Sequence, residues 1–135
     1  SDDIKYGRIN NILEYAMTIS KCKIWVATPA AFEDMTPRYY EVMGSKTLLF
    51  CSEIPDQYKN IFIDSVNCVE FKNDLSDFNQ KLDYILNTPE YYQNIVETAY
   101  LQARSNHTWD NRADSLLNII NHIFKGDKDI NSQSN

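Results

Sequence analysis

The feature that most constrains the fold is the alternation of short apolar runs with longer segments of helical periodicity. The apolar runs lie at residues 23–28, 47–51 and 66–72 and are rich in β-branched and aromatic side chains, which is typical of buried strands. Helical segments precede the first run, separate it from the second and follow the third. Buried strands separated by helices form parallel sheets covered on both faces. The sequence therefore predicts an α/β fold with a small parallel sheet of about three strands flanked by helices.

Start and stop residues set the expected helix boundaries. Thr36-Pro37 and Thr88-Pro89 are typical helix starts, because a proline at the first helical position gives up an N–H that has no partner there. We expect helices at 9–20, 36–45, 76–87, 89–105 and 108–125, with a short helical piece around 58–62. Ser76 is expected to cap its helix, Gly126 to end the last one, and residues 29–35 to form a loop. We predict one domain over residues 1–126 and a polar, disordered tail over 127–135.

The charge balance and the length of the apolar runs exclude several classes of protein. Thirteen Lys and Arg against nineteen Asp and Glu give a net charge of −6. A protein that binds nucleic acid needs clustered basic residues, and an acidic surface is repelled by anionic lipids. Apolar runs of about five residues are far shorter than the roughly 20 that a membrane helix needs, and the N-terminus has no signal-peptide core. We therefore expect no nucleic acid partner and no membrane span.

The three cysteines, Cys22, Cys51 and Cys68, give neither a disulfide framework nor a zinc site. Their number is odd and no CxxC spacing occurs. Each lies in or beside an apolar run, where a thiol behaves as a small buried hydrophobe. This cysteine usage favours a reducing, cytoplasmic setting.

Three ordered blocks of the sequence resemble one family of enzymes. Residues 37–50 (PRYYEVMGSKTLLF) resemble a segment of group 1 glycosyltransferases with the GT-B architecture, closest to their spore-maturation-like branch. Residues 62–95 are similar to the block that follows in that branch, and residues 107–113 (HTWDNRA) are similar to its terminal signature. The resemblance covers roughly residues 15 to 120, with all blocks in order.

The resemblance implies a Rossmann-like domain that holds the nucleotide-sugar donor. The reaction would transfer a sugar from a nucleoside diphosphate sugar to an acceptor hydroxyl, with no bound cofactor and no metal. This chain would be the C-terminal part of the donor domain, while the first strands of that domain and an N-terminal acceptor domain would lie elsewhere. A strand count of three agrees, because doubly wound domains usually contain about six. The isolated chain would then be catalytically inactive.

The candidate donor site lies at the helix that begins at Thr36-Pro37. A helix N-terminus attracts anions, and Arg38 in its first turn is suited to the donor's diphosphate. A carboxylate at Glu41 is suited to the two ribose hydroxyls, and Glu33 has the E-x7-E spacing to Glu41 that the resemblance associates with retaining branches. The alternatives remain a solvated helix-face acid for Glu41, an ion-pair residue for Arg38 and an ordinary loop acid for Glu33.

Two further positions follow from the resemblance. The signature His107, Thr108, Trp109 and Arg112 implies a structural role at the start of the last helix, with Trp109 packed and Arg112 in an ion pair. The family usually has glycine where this chain has Lys46. Because glycine permits a tight turn with positive φ, Lys46 predicts either a relaxed turn or a strained one.

The rival interpretation is a non-catalytic interaction module that kept the fold and lost the chemistry. An incomplete sheet leaves an unpaired strand edge, which recruits partner chains or drives self-association. In that case we expect a homo-oligomer and no nucleotide binding.

Overall fold

The structure is a computed structural model that describes residues 11–31 and 34–131, with side chains up to residue 124. In chain order the described part contains α1 (Ile12–Lys21), β1 (Ile24–Ala27), α2 (Pro37–Gly44), β2 (Leu48–Ser52), a 3-10 helix (Asp56–Tyr58), β3 (Val69–Phe71), α3 (Phe78–Asn87), α4 (Pro89–Asn106) and α5 (Trp109–Asn131). These elements confirm the α/β class. The chain divides into one unit up to Leu101 and a second from Gln102 onwards; the single domain expected over 1–126 stays a prediction.

The first unit is built on a three-stranded parallel sheet with the strand order β1-β2-β3. Ile24 pairs with Leu48 across β1 and β2, and Phe50 pairs with Val69 across β2 and β3. β2 is the central strand, and all five of its residues are buried. The parallel sheet predicted from the apolar runs is therefore confirmed.

One face of the sheet packs against α3 and α4. Leu48 and Phe50 of β2 and Val69 and Phe71 of β3 form a buried cluster with side chains from those helices, namely Ile85, Ile95 and Val96. The ring centroids of Phe50 and Phe71 lie 4.9 Å apart at an angle of 70°, an edge-to-face arrangement that aromatic pairs prefer. Burial of each large side chain contributes about 1.5–3 kcal/mol, so this cluster holds α3 and the first part of α4 onto the sheet.

The other face packs against α1 and α2. Side chains alternate along a strand, so Leu49 and Cys51 point away from the phenylalanine cluster. Helix α2 contacts both β1 and β2 as well as α1, and its Tyr39, Val42 and Met43 are fully buried. The Thr47 hydroxyl donates to the Ile19 carbonyl at 2.7 Å, which ties the end of α1 to the start of β2.

Strand β1 and several helix ends differ from the sequence predictions. The run 23–28 was expected to be fully buried, but Val26 is 50% exposed because β1 is an edge strand. The first residues of the helix predicted over 9–20 lie outside the described residues; within them α1 begins at Ile12, where the Asn11 side chain accepts a hydrogen bond from the Leu13 N–H at 2.9 Å and caps the helix. Helix α5 continues past Gly126 to Asn131, because a glycine that stays helical costs about 1 kcal/mol relative to alanine without ending the helix.

The turn between α2 and β2 shows which backbone conformation Lys46 adopts. Lys46 has a φ of 56°, so the turn is the strained alternative. The Lys46 N–H donates to the Met43 carbonyl and the Thr47 N–H to the Val42 carbonyl, both at 3.4 Å, which is the Schellman pattern at a helix end. The Lys46 side chain offsets part of the strain, because its Nζ lies 3.4 Å from a Glu97 carboxylate oxygen and 4.5 Å from the Tyr100 ring centroid.

Substitutions at Lys46 separate the backbone strain from the side-chain contacts. We expect the free energy of unfolding of Lys46→Gly to be nearly that of the wild type. The variant loses an exposed ion pair and a cation–π contact, about 1 kcal/mol together. Glycine also relieves about 1 kcal/mol of left-handed backbone strain, which offsets that loss. Lys46→Ala keeps the strain and loses the contacts, so it should be about 1 kcal/mol less stable than Lys46→Gly. Urea unfolding measures both variants. Equal stability of the two would show that residue 46 does not need a positive φ.

Candidate functional site

The candidate site lies at the edge of the sheet where the carboxyl ends of the three strands meet. Parallel strands place the loops that follow them at one edge, and ligands of open α/β sheets bind there. A cleft of about 640 Å³ opens at this edge and is lined by residues that follow each strand or lie at its end: Pro29, Glu53, Ile54, Pro55, Asp56, Lys59, Glu70 and Asn73. Helix α2 also begins at this edge because it follows β1 in the chain.

The start of α2 matches the sequence prediction in position but not in its cap. Thr36 is the N-cap residue, with φ −79° and ψ 156°, and Pro37 occupies the first turn. The Thr36 side chain makes no capping hydrogen bond, whereas its carbonyl accepts from the Tyr39 N–H at 3.2 Å. Because Pro37 has no N–H, the first donors that this helix end offers to an anion come from Arg38, through both its backbone N–H and its side chain.

Arg38 and Glu41 converge on a residue of another helix, Tyr15. The Tyr15 hydroxyl donates to Oε2 of Glu41 at 3.0 Å, and the Arg38 guanidinium lies near enough to the same hydroxyl to lower its pKa. Arg38 and Glu41 are three positions apart and therefore lie on one face of α2. Both side chains are exposed to solvent, so a ligand has access to them. Glu33 lies outside the described residues.

The protonation of Tyr15 follows from its surroundings. Partial burial raises the pKa of the Tyr15 hydroxyl above its ordinary value, and the Glu41 carboxylate raises it further, while the Arg38 guanidinium opposes the shift. The phenol therefore keeps its proton at neutral pH and acts as a hydrogen-bond donor toward Glu41.

The cleft at the carboxyl edge holds acidic side chains that the sequence analysis did not identify. Glu53 accepts a hydrogen bond from the Asn73 side chain at 2.8 Å, and Lys59 lies 2.7 Å from Asp56. Glu70 accepts a long hydrogen bond of 3.5 Å from the Ile54 N–H, and burial raises the pKa of its carboxyl. These residues come from two separate segments, one after β2 and one in and after β3, and the parallel register brings them together; the one sequence signal was their position in or after predicted strands.

In the described part of the chain, no group of three or more His, Cys, Asp or Glu side chains has an arrangement that fits a metal ion. None of the described helices combines the length and apolar character that crossing a membrane requires.

In the second unit, Thr108 and Asn111 form the cap of α5. The Asn111 N–H donates to the Thr108 hydroxyl at 3.2 Å, and the Asn111 side-chain oxygen accepts from the Thr108 N–H at 3.0 Å. Arg112 Nη2 lies 3.3 Å from His107 Nδ1. Trp109 is the first residue of α5 and is 85% exposed, so the packing expected of its ring is not observed; the reciprocal cap, rather than the indole, fixes this helix start.

A comparison with family models identifies the chain. The model described as glycosyl transferase-like matches residues 2–118. The chain belongs to the glycosyl transferase-like family. A search of curated proteins finds no match. The matched span of this glycosyl transferase-like chain includes the whole sheet, Arg38 and Glu41 on α2, and the segment from His107 to Arg112.

Family membership supports glycosyl transfer as the general function. Arg38 and Glu41, which converge on Tyr15, therefore lie in a domain with that general function. The sequence analysis named Arg38 and Glu41 separately, and the structure brings them together in this glycosyl transferase-like domain. Tyr15 was missed, because its position in a mostly apolar helical segment carries no sign of contact with a helix more than 20 residues further along the chain.

The charge state of His107 tests the local geometry of the glycosyl transferase-like signature. Burial lowers the pKa of His107 below its ordinary value, and the neighbouring Arg112 cation lowers it further. We expect Arg112→Gln to raise the midpoint of the His107 titration in NMR spectra toward 6.5, whereas Arg112→Lys should keep most of the shift. An unchanged midpoint in Arg112→Gln would show that the guanidinium does not act on the imidazole.

Proposed function

We propose that this chain is the C-terminal, donor-binding part of a GT-B glycosyltransferase of the spore-maturation-like branch. Its reaction is the transfer of a sugar from a nucleoside diphosphate sugar to an acceptor hydroxyl. The observation that carries the proposal is the convergence of Arg38 and Glu41 on Tyr15, on a helix that begins at the carboxyl edge of a parallel sheet, in a chain of the glycosyl transferase-like family.

Arg38 and the start of α2 are proposed to bind the donor's diphosphate. The positive end of the helix dipole and the guanidinium both favour an anion at this position. The diphosphate becomes more negative as the bond to the sugar breaks, so donors aimed at it stabilise the transition state more than the ground state. Because these groups neutralise the charge, we propose that no metal takes part.

Glu41 is proposed to bind the ribose. A carboxylate has two oxygen atoms and accepts hydrogen bonds from two vicinal hydroxyls. Oε2 already accepts from Tyr15 and keeps lone pairs for a ligand. Among the described residues, Oε1 has no hydrogen-bond partner. Glu33, by its spacing, is proposed to contribute to the donor site from the preceding loop.

The acceptor site and the general base are proposed to lie outside this chain. The described sheet contains three strands, about half the number in a complete doubly wound domain. The outer edge of β1, which pairs with no further strand among the described residues, suits further strands of the donor domain. On this proposal the isolated chain binds nucleotide but does not transfer sugar.

The same exposed edge favours the rival function, an interaction module. An uncovered strand edge pairs with another chain when nothing else covers it. Light scattering after size-exclusion chromatography, combined with a nucleotide-binding assay, separates the two. A dimer that binds no nucleotide supports the module, and a nucleotide-binding chain supports the donor-binding part.

Calorimetric titration of UDP and GDP into the chain tests the donor site. We expect Glu41→Ala to weaken binding about tenfold or more, because it removes hydrogen bonds to a charged acceptor that contribute about 1.5–3 kcal/mol. Asp83→Ala, which removes an exposed acid of α3 on the other side of the sheet, should leave binding unchanged and serves as the control. Wild-type affinity in Glu41→Ala would remove the ribose assignment.

Nucleoside and nucleoside diphosphate titrations test Arg38 separately. Arg38→Ala should weaken the binding of UDP or GDP about tenfold. The affinity for uridine or guanosine should be nearly unchanged, because the guanidinium acts on the phosphates. An equal loss for nucleoside and diphosphate would place Arg38 away from the diphosphate.

A further inference from the structure

Tyr15 lies between the two side chains of the proposed donor site. Its hydroxyl donates to Oε2 of Glu41 at 3.0 Å, and the Arg38 guanidinium lies near the same hydroxyl. The phenol thus lies between a group suited to phosphate and a group suited to ribose.

The position of Tyr15 is fixed by the helix that carries it. The Asn11 cap fixes the start of α1, and its last turn is anchored by the buried Ile19, whose carbonyl accepts from Thr47. The Tyr15 ring also meets the Trp25 ring edge-on, with centroids 6.3 Å apart at 89°. The hydroxyl is therefore held by packed structure, whereas Glu41 is an exposed side chain with several rotatable bonds.

We propose that Tyr15 is a positioning residue that holds the Glu41 carboxylate in the orientation that receives the ribose hydroxyls, an inference that rests on the proposed function. A glutamate side chain loses much rotamer freedom when it binds a ligand. A carboxylate already held by Tyr15 has lost part of that freedom before binding, so ribose recognition costs less.

The test compares ribose recognition with total binding. UDP and GDP are each titrated beside their 2′,3′-dideoxy counterparts into the wild-type chain, Tyr15→Phe, Glu41→Ala and the double variant. The affinity ratio of the ribose to the dideoxy form isolates the contacts to the hydroxyls. We expect a ratio of about tenfold in the wild type, about threefold in Tyr15→Phe and about one in Glu41→Ala. The double variant should equal Glu41→Ala, because Tyr15 acts on the ribose through Glu41.

Several outcomes would overturn the inference. If the affinity ratio of the ribose to the dideoxy form in Tyr15→Phe equals that of the wild type, the phenol does not position Glu41. If the ratio is larger than in the wild type, Tyr15 competes with the ribose for the carboxylate. An equal loss for both ligand forms means that Tyr15 has only a structural role. Tyr84→Phe, an exposed tyrosine of α3, is the matched control and should match wild type, and urea unfolding checks that each variant folds.

The same titrations distinguish failure of the inference from failure of the proposed function. If the wild-type ratio is high and Glu41→Ala keeps it, the ribose assignment of Glu41 is wrong, and the role of Tyr15 falls with it. If Glu41→Ala abolishes the ratio but Tyr15→Phe does not lower it, only the inference about Tyr15 is wrong. If neither diphosphate binds the wild-type chain, both are contradicted.

Discussion

The complete burial of the central strand β2 is the constraint on which the rest of the first unit depends. A strand with no exposed residue needs a neighbour on each side and a helical layer on each face. β1 and β3 supply the neighbours in parallel, and α2 covers one face while α3 and α4 cover the other. Parallel pairing then brings the carboxyl ends of all three strands to one edge, which is where the cleft opens.

The two faces of helix α2 differ: one packs against the sheet, and the other is exposed to solvent. Tyr39, Val42 and Met43 are fully buried and fix the helix against the sheet, so Arg38 and Glu41 project from the opposite face into solvent. The Tyr39 hydroxyl is buried with no hydrogen-bond partner among the described residues, and burial raises its pKa. A buried unpaired hydroxyl costs about 1–3 kcal/mol, and the apolar contacts of the Tyr39 ring must exceed that cost.

Local patterns sufficed for the elements of the fold, and tertiary contacts decided what the sequence did not predict. The apolar runs and the Thr36-Pro37 start identified the strands and α2, because periodicity and proline chemistry act over a few residues. One helix start differs from its prediction: α3 begins at Phe78 after the N-cap residue Asp77, and Ser76, which was expected to cap it, lies one residue earlier. Tyr15 and Glu70 join their sites through long-range packing, which no local pattern reports.

Lys46 shows how the chain keeps a turn with positive φ at a position where the resemblance predicts glycine. Lys46 adopts the positive φ that a glycine permits, so the path of the chain from α2 into β2 is kept at the expense of strain. This turn joins the end of α2 to the start of β2 and therefore lies at the amino edge of the sheet, the length of α2 away from Thr36, about 12 Å at 1.5 Å per residue. The Lys46 side chain extends toward Glu97 and Tyr100 of α4. Its effect is therefore on the packing of α4, and Arg38 in the first turn of α2 lies at the other end of the helix.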